Sequence, residues 1–185
     1  MAMTSRMSPL LEHNEQFART FRPVPLGMPA AQVIVITCLD HRVDPAITLG
    51  LGLGDAPVLR NAGGRVTDAV IEDIAYLAYI GRRMSGGRVA GDSGMEVAVI
   101  HHTQCGTGFL VDPAFRREAS EATGVDEHTL EASAVGDPHT TVAIDVERLR
   151  TSPLLPPAMR VSGHVYDPDT GRITTVIDAR QVSAW

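Results

Sequence analysis

The stretch QVIVITCLDHR, residues 32–42, changes character halfway along. Its first half is an unbroken β-branched run, which suits a strand buried on both faces better than one alternating between core and solvent. Its second half places a thiol, a carboxylate, an imidazole and a guanidinium within five residues. A strand covered on both faces implies a mostly parallel sheet flanked by helices, where ligands bind beyond the carboxyl ends of the strands. The pattern recurs: APVLR at 56–60 runs into NAGG, and MEVAVIH at 95–101 runs into HTQCG at 102–106. Three predicted strand ends thus carry polar residues toward one rim.

The segments between them read as helices. SPLLEHNEQFARTF at 8–21 offers Ser8 as N-cap, Pro9 in the first turn and Leu10, Leu11, Phe17 and Phe21 near one face, an amphipathic arm within residues 1–30. Thr67 is a suitable N-cap for a second helix with Val70, Ile71, Ile74, Leu77 and Ala78 on one face and Gly81 near its end. Helical spacing returns at 113–124 and at 139–150, where Val142, Val146 and Leu149 share a face. MRVSGHVY at 159–166 and RITTVI at 172–177, joined by DPDTG, predict a closing antiparallel hairpin at the sheet edge. The expected architecture is one α/β domain over residues 1–185. GGRVAGDSG at 86–94 precedes a strand, whereas phosphate-binding loops follow one and open a helix, so it is read as a connector.

Composition excludes several classes. The net charge is −6, from 16 Lys plus Arg against 22 Asp plus Glu, so neither nucleic acid nor an anionic membrane is an expected partner. The longest purely aliphatic run, VIVI at 33–36, is far shorter than the ~20 residues of a membrane span, and the expected location is the cytoplasm. Two cysteines, Cys38 and Cys105, do not make a disulfide framework, although a single bridge between them stays open on sequence alone.

Both cysteines stand beside titratable side chains. Two thiols and an imidazole at one rim are the ingredients of a zinc site, and three protein ligands leave a fourth position for water or substrate, as catalytic sites do. Cys38, Cys105 and one histidine of the pair His101 and His102 make such a set, with the choice of histidine unresolved by spacing. If residues 38–42 stay extended, Cys38, Asp40 and Arg42 project to one side, placing a carboxylate and its guanidinium partner by the metal.

Together these motifs resemble those of a known family. CLDHR at 38–42 followed by HTQCG at 102–106 is similar to the paired CxDxR and HxxCG signatures of the β-class carbonic anhydrases, and RNAGG at 60–64 resembles the segment between them. The likeness runs from about residue 8 to 178 and looks nearest to the shorter bacterial members. It implies Cys38, His102 and Cys105 as ligands of Zn2+, with His102 preferred because it stands three residues before Cys105. It implies Asp40 and Arg42 as a catalytic dyad, Asp40 serving as alternate fourth zinc ligand when it swings inward, and the backbone of Gly63 and Gly64 beside the substrate pocket. It further implies a zinc-dependent lyase that hydrates CO2 to bicarbonate through hydroxide generated at the metal, acting as a homodimer or higher homo-oligomer. Carbonyl sulfide or carbon disulfide hydrolysis on the same scaffold is the alternative, and a nonenzymatic zinc or bicarbonate-binding module a third. His41 and His101 are candidate proton carriers by proximity alone. His41 and Gln104 depart from the family's usual residues at their positions.

Overall fold

The β-branched run forms β1 (Val33–Cys38), followed by β2 (Val58–Asn61), β3 (Glu96–His102), β4 (Arg160–Asp167) and β5 (Arg172–Gln181). The chain is described by a computed structural model over residues 5–85 and 94–183. The strands make one sheet in the order β2-β1-β3-β4-β5, parallel except for the antiparallel β4–β5 edge pair. The strand order reverses between β1 and β3, which lie side by side with Thr37 opposite Ile100. Their carboxyl ends, bearing Cys38 and His102, therefore flank the switch point at which open α/β sheets bind ligands.

Among the described residues, six α-helices flank the sheet: α1 (Ser8–Thr20), α2 (Pro45–Thr48), α3 (Asp68–Met84), α4 (Pro113–Thr123), α5 (Glu127–Ala132) and α6 (Pro138–Arg150). The main core joins Ile34, Ile36, Val97, Val99 and Val161 of the sheet to Val70, Ile71 and Ile74 of α3 and to Val142, Val146 and Leu149 of α6. Each fully buried aliphatic side chain of this kind contributes about 1.5–3 kcal/mol. Gly163 lets α6 lie close to the sheet, because a Cβ there would stand 2.9 Å from Val146 Cγ2 and 3.2 Å from Val142 Cγ2. The opposite face carries a smaller cluster of Val35, Val43, Ile100 and Tyr166.

Several expectations are adjusted. Thr67 does cap α3, its hydroxyl accepting from the Val70 amide at 3.3 Å, but the helix runs past Gly81 to Met84. Ser8 lies inside α1 rather than capping it, and Met7 occupies the flanking position without a side-chain bond. α1 buries none of its residues within this chain. Helices α2 and α5 are absent from the sequence reading; each is short and opens on an Asp cap, Asp44 and Asp126, rather than on an apolar period. The connector expected at 86–94 falls, but for Gly94, outside the described residues.

Candidate metal centre

Cys38 is the last residue of β1 and His102 the last of β3, while Cys105 follows three residues later at the start of a 3₁₀ turn, 106–111. The switch point brings them together. A sulfur from each cysteine and a ring nitrogen of His102 lie within 4.8 Å of one another, and all three residues are buried. The disulfide alternative is set aside: both cysteines are free, with sulfurs 3.8 Å apart. That separation is informative, because a tetrahedral ion held at about 2.3 Å by two thiolates keeps their sulfurs about 3.8 Å apart.

The imidazole is prepared in the same sense. His102 Nδ1 lies 2.8 Å from the carbonyl oxygen of Thr103, which can only accept, so Nδ1 carries the proton and Nε2 presents its lone pair. Nε2 is buried without a hydrogen-bond partner. An orphaned acceptor beside two unbridged sulfurs is an arrangement that a bound cation would satisfy. Of the adjacent histidines, His102 is the one that joins the two cysteines. His101 sits on the other side of β3, wholly buried, with Nδ1 2.8 Å from Thr141 Oγ1. It lies outside the donor cluster and away from solvent, whereas His41 has a side chain 94% exposed.

The thiols share a proton. Cys38 is pushed up to about 12, first by its hydrogen bond with Cys105 and then by burial. Cys105 is drawn down to about 6 by the same bond, against the cost of burial and with help from Thr107, whose hydroxyl lies 3.1 Å from its sulfur. Cys105 therefore ionises first, and a metal that captures both sulfurs must release the proton held by Cys38.

Asp40 and Arg42 do form a pair, though not through an extended segment. The chain turns after Cys38: the Val43 amide donates to the Asp40 carbonyl at 3.0 Å, and the Arg42 amide donates to Asp40 Oδ1 at 2.9 Å. Arg42 then grips the carboxylate through Nε to Oδ1 at 3.0 Å and Nη2 to Oδ2 at 2.7 Å. The Arg42 hydrogen bonds hold the Asp40 carboxyl well below the ordinary carboxylate range, outweighing burial. Asp40 Oδ2 stands 3.9 Å from His102 Nε2, beside the three donors but turned toward Arg42.

Three supports surround this pair and the cysteines, the contacts of which were not legible in the sequence. Arg60 donates to the carbonyls of Cys38 at 3.0 Å and Asp40 at 2.8 Å, fixing the turn that carries the pair. Gln104 adopts a left-handed backbone, φ 56°, and its carbonyl accepts from Arg42 Nη2 at 2.9 Å. Gly63 and Gly64 have φ values of 76° and 68°, and a Cβ on Gly64 would meet the Cys38 amide nitrogen at 2.8 Å. Gly64 is thus a close strap behind Cys38, while a Cβ on Gly63 would meet the Ser133 carbonyl at 2.6 Å, and the paired glycines of RNAGG announced a close approach without saying against what.

Comparisons with known proteins agree with this geometry. The family model for carbonic anhydrase matches residues 33–173. The chain is 31% identical to beta-carbonic anhydrase 1 of Mycobacterium tuberculosis over 167 residues, covering 90% of this chain and 94% of that one. It superposes on the crystal structure of carbonic anhydrase from Streptococcus mutans with a TM-score of 0.74 and 33% identity, covering 94% and 99% of the two chains. A carbon disulfide hydrolase of an Acidianus species is 30% identical over 75% of this chain and 74% of its own length. With its motifs, its sheet order and these relatives in agreement, the chain belongs to the β-carbonic anhydrase family.

Proposed function

We propose that this protein is a zinc-dependent lyase that interconverts carbon dioxide and water with bicarbonate and a proton. Cys38, His102 and Cys105 would hold the ion, leaving one position free. When bound, zinc supplies a Lewis acid that makes water nucleophilic near neutral pH. Asp40 would act as the hydrogen-bond acceptor that orients water at the site, while Arg42 would keep the carboxylate ionised and directed away from the donors. Released from Arg42, Asp40 is the group near enough to serve as the alternate fourth ligand. The observation that carries the reading is the convergence of three metal donors beside an arginine-held carboxylate, since a purely structural metal site has no use for that pair.

A second copy of the chain completes the proposal. α1 buries no residue of its own, yet Leu10, Leu11, Phe17 and Phe21 are exposed, as are Leu39, Ile47 and Phe109 around the strand ends. A homodimer or larger assembly would cover these apolar groups; light scattering at micromolar concentration tests it, and a monodisperse monomer would count against it. The proposed location is the cytoplasm, and no described helix is long and apolar enough to cross a membrane.

Stopped-flow CO2 hydration by zinc-loaded protein, with Cys38→Ser as control, decides the main reading: a rate no faster than buffer across neutral to alkaline pH would sink it. The carbon disulfide hydrolase relative motivates a second substrate class using the same activated water. Sulfide release from carbon disulfide or carbonyl sulfide separates the two.

A further inference from the structure

Beneath the metal centre lies a buried carboxylate that the reaction does not use. Asp145 of α6 is 1% exposed. Its Oδ2 accepts from Arg65 Nε at 2.7 Å and from the Val66 amide at 3.1 Å, and its Oδ1 accepts from Arg65 Nη2 at 3.2 Å. His101 Nε2 stands 3.2 Å from the same Oδ2, near enough to be attracted though not aligned as a well-formed bond. Arg65 Nη1 continues to the carbonyl of Ala134 at 2.7 Å. One helical side chain thus holds three stretches that are far apart in sequence.

Each stretch leads to a metal donor. Residues 65–66 directly follow Gly63 and Gly64, and Gly64 lies against the Cys38 backbone. Gly63 lies against Thr107, a Cβ there standing 3.1 Å from Thr107 Oγ1, and that hydroxyl is the partner of the Cys105 sulfur. Ala134 precedes Val135, which packs with both cysteines in one cluster. His101 precedes His102 on β3. A buried ion pair is a costly way to stabilise a fold, because desolvation cancels much of the attraction and apolar residues of similar size often serve as well. What the fork of an arginine on a carboxylate adds over an apolar contact is direction.

Resting on the reading of Cys38, His102 and Cys105 as metal ligands, we infer that Asp145, acting with Arg65, is a positioning residue for the metal centre. It fixes the distance at which the glycine strap, Val135 and the end of β3 approach one another, and so the spacing of the three donors. Asp145→Asn keeps an acceptor for the Val66 amide but removes the charge that orients Arg65; Arg65→Met removes the fork and leaves the carboxylate.

Both variants are loaded with cobalt(II) or zinc and followed well below their unfolding temperatures. The expected result is metal loss to a chelator about tenfold faster than wild type, within the range that partners of metal ligands command. The cobalt ligand-field bands shift, and kcat falls with KM little changed. A purely structural role would lower the unfolding temperature of metal-free protein and leave spectrum, release rate and kcat unmoved, which would overturn the inference. A third arm needs no variant: because coupling is reciprocal, removing the metal from wild-type protein should speed hydrogen exchange at the Val66 amide. Unchanged exchange there overturns the inference even if both variants fail to fold. Wild-type protein that binds no metal would instead sink the ligand assignment itself, so the two failures are distinguishable.

Discussion

Two Arg–Asp pairs lie at the same end of this sheet and differ in nearly every physical respect. Asp40 and Arg42 are two residues apart, with side chains 13% and 39% exposed; Asp145 and Arg65 are eighty apart, 2% and 14% exposed. The first is made by a turn that any chain with this local sequence can form, and solvent competes for it. The second exists only once α6 has docked on the sheet, and loss of either partner leaves the other a charge held only by neutral backbone groups and His101. Local and exposed pairs can rearrange during turnover, whereas long-range buried pairs define the frame in which that happens.

The largest expected effect is on the buried pair. Asp145→Ala strands Arg65 in the interior and should lower unfolding free energy by about 3–5 kcal/mol. Urea denaturation checks it, and a loss below about 1 kcal/mol would show the two pairs to be energetically alike. Next comes the rim: Asp40→Ala should lower kcat/KM for CO2 hydration by about a hundredfold, the low end for a positioned proton acceptor, with stability within about 0.5 kcal/mol of wild type. Opposite signatures from the two carboxylates are the point; a matching pair of stability losses would erase the distinction.

Acid titration sharpens it. Burial opposes ionisation of Asp145, but the nearby His101 ring, the Arg65 hydrogen bonds and the charge of Arg65 outweigh it, so its carboxyl is held below the ordinary 3.8. A depressed native value means the unfolded chain binds more protons below that pH. The stabilisation is therefore present above about pH 4 and is lost as pH falls through the native value, by up to about 1.4 kcal/mol per pH unit. Denaturation curves between pH 2.5 and 5 should fall less steeply for Asp145→Asn than for wild type. Equal slopes would mean that Asp145 is not the ionised partner of Arg65. An effect of similar size, about a tenfold loss of kcat/KM, is expected for Arg42→Lys, since an ammonium cannot hold both oxygens of Asp40 in a planar fork.

The sequence made the rim legible and the frame opaque, for a physical reason. Cys38, Asp40, Arg42, His102 and Cys105 follow apolar runs, and reactive side chains at strand ends announce a site because few other places in an α/β sheet tolerate them. A mostly parallel sheet with an antiparallel edge then followed from alternation with helices, whereas the strand order did not. The condition that 38–42 stay extended is not met, because Asp40 caps its own turn and that competes with β propensity. Asp145 was missed even though a signal existed: it occupies the position between Val142, Val146 and Leu149 on the face of α6 that packs on the sheet. A carboxylate inside an apolar helical stripe must find a partner. Its partner, eighty residues earlier, could be identified only after folding.

The smallest expected effect asks how self-contained the rim pair is. Asp167 organises the β4–β5 turn, accepting from the Asp169 amide at 3.0 Å and the Thr170 hydroxyl at 2.8 Å, and Asp169 Oδ2 accepts from Gln104 Nε2 at 2.5 Å. Through Gln104, whose carbonyl is turned toward Arg42, the hairpin touches the pair from outside. All of these side chains reach solvent, where a single charge-assisted bond is worth under ~1 kcal/mol. Asp169→Ala should therefore lower kcat/KM by no more than about threefold. Gln104→Val should cost more than Gln104→Gly, because a β-branched residue resists the left-handed backbone that aims the carbonyl. Were Asp169→Ala to match the Arg42→Lys loss, the rim pair would be held from the hairpin rather than by its own turn, and its contrast with the buried pair would narrow to a difference in exposure alone.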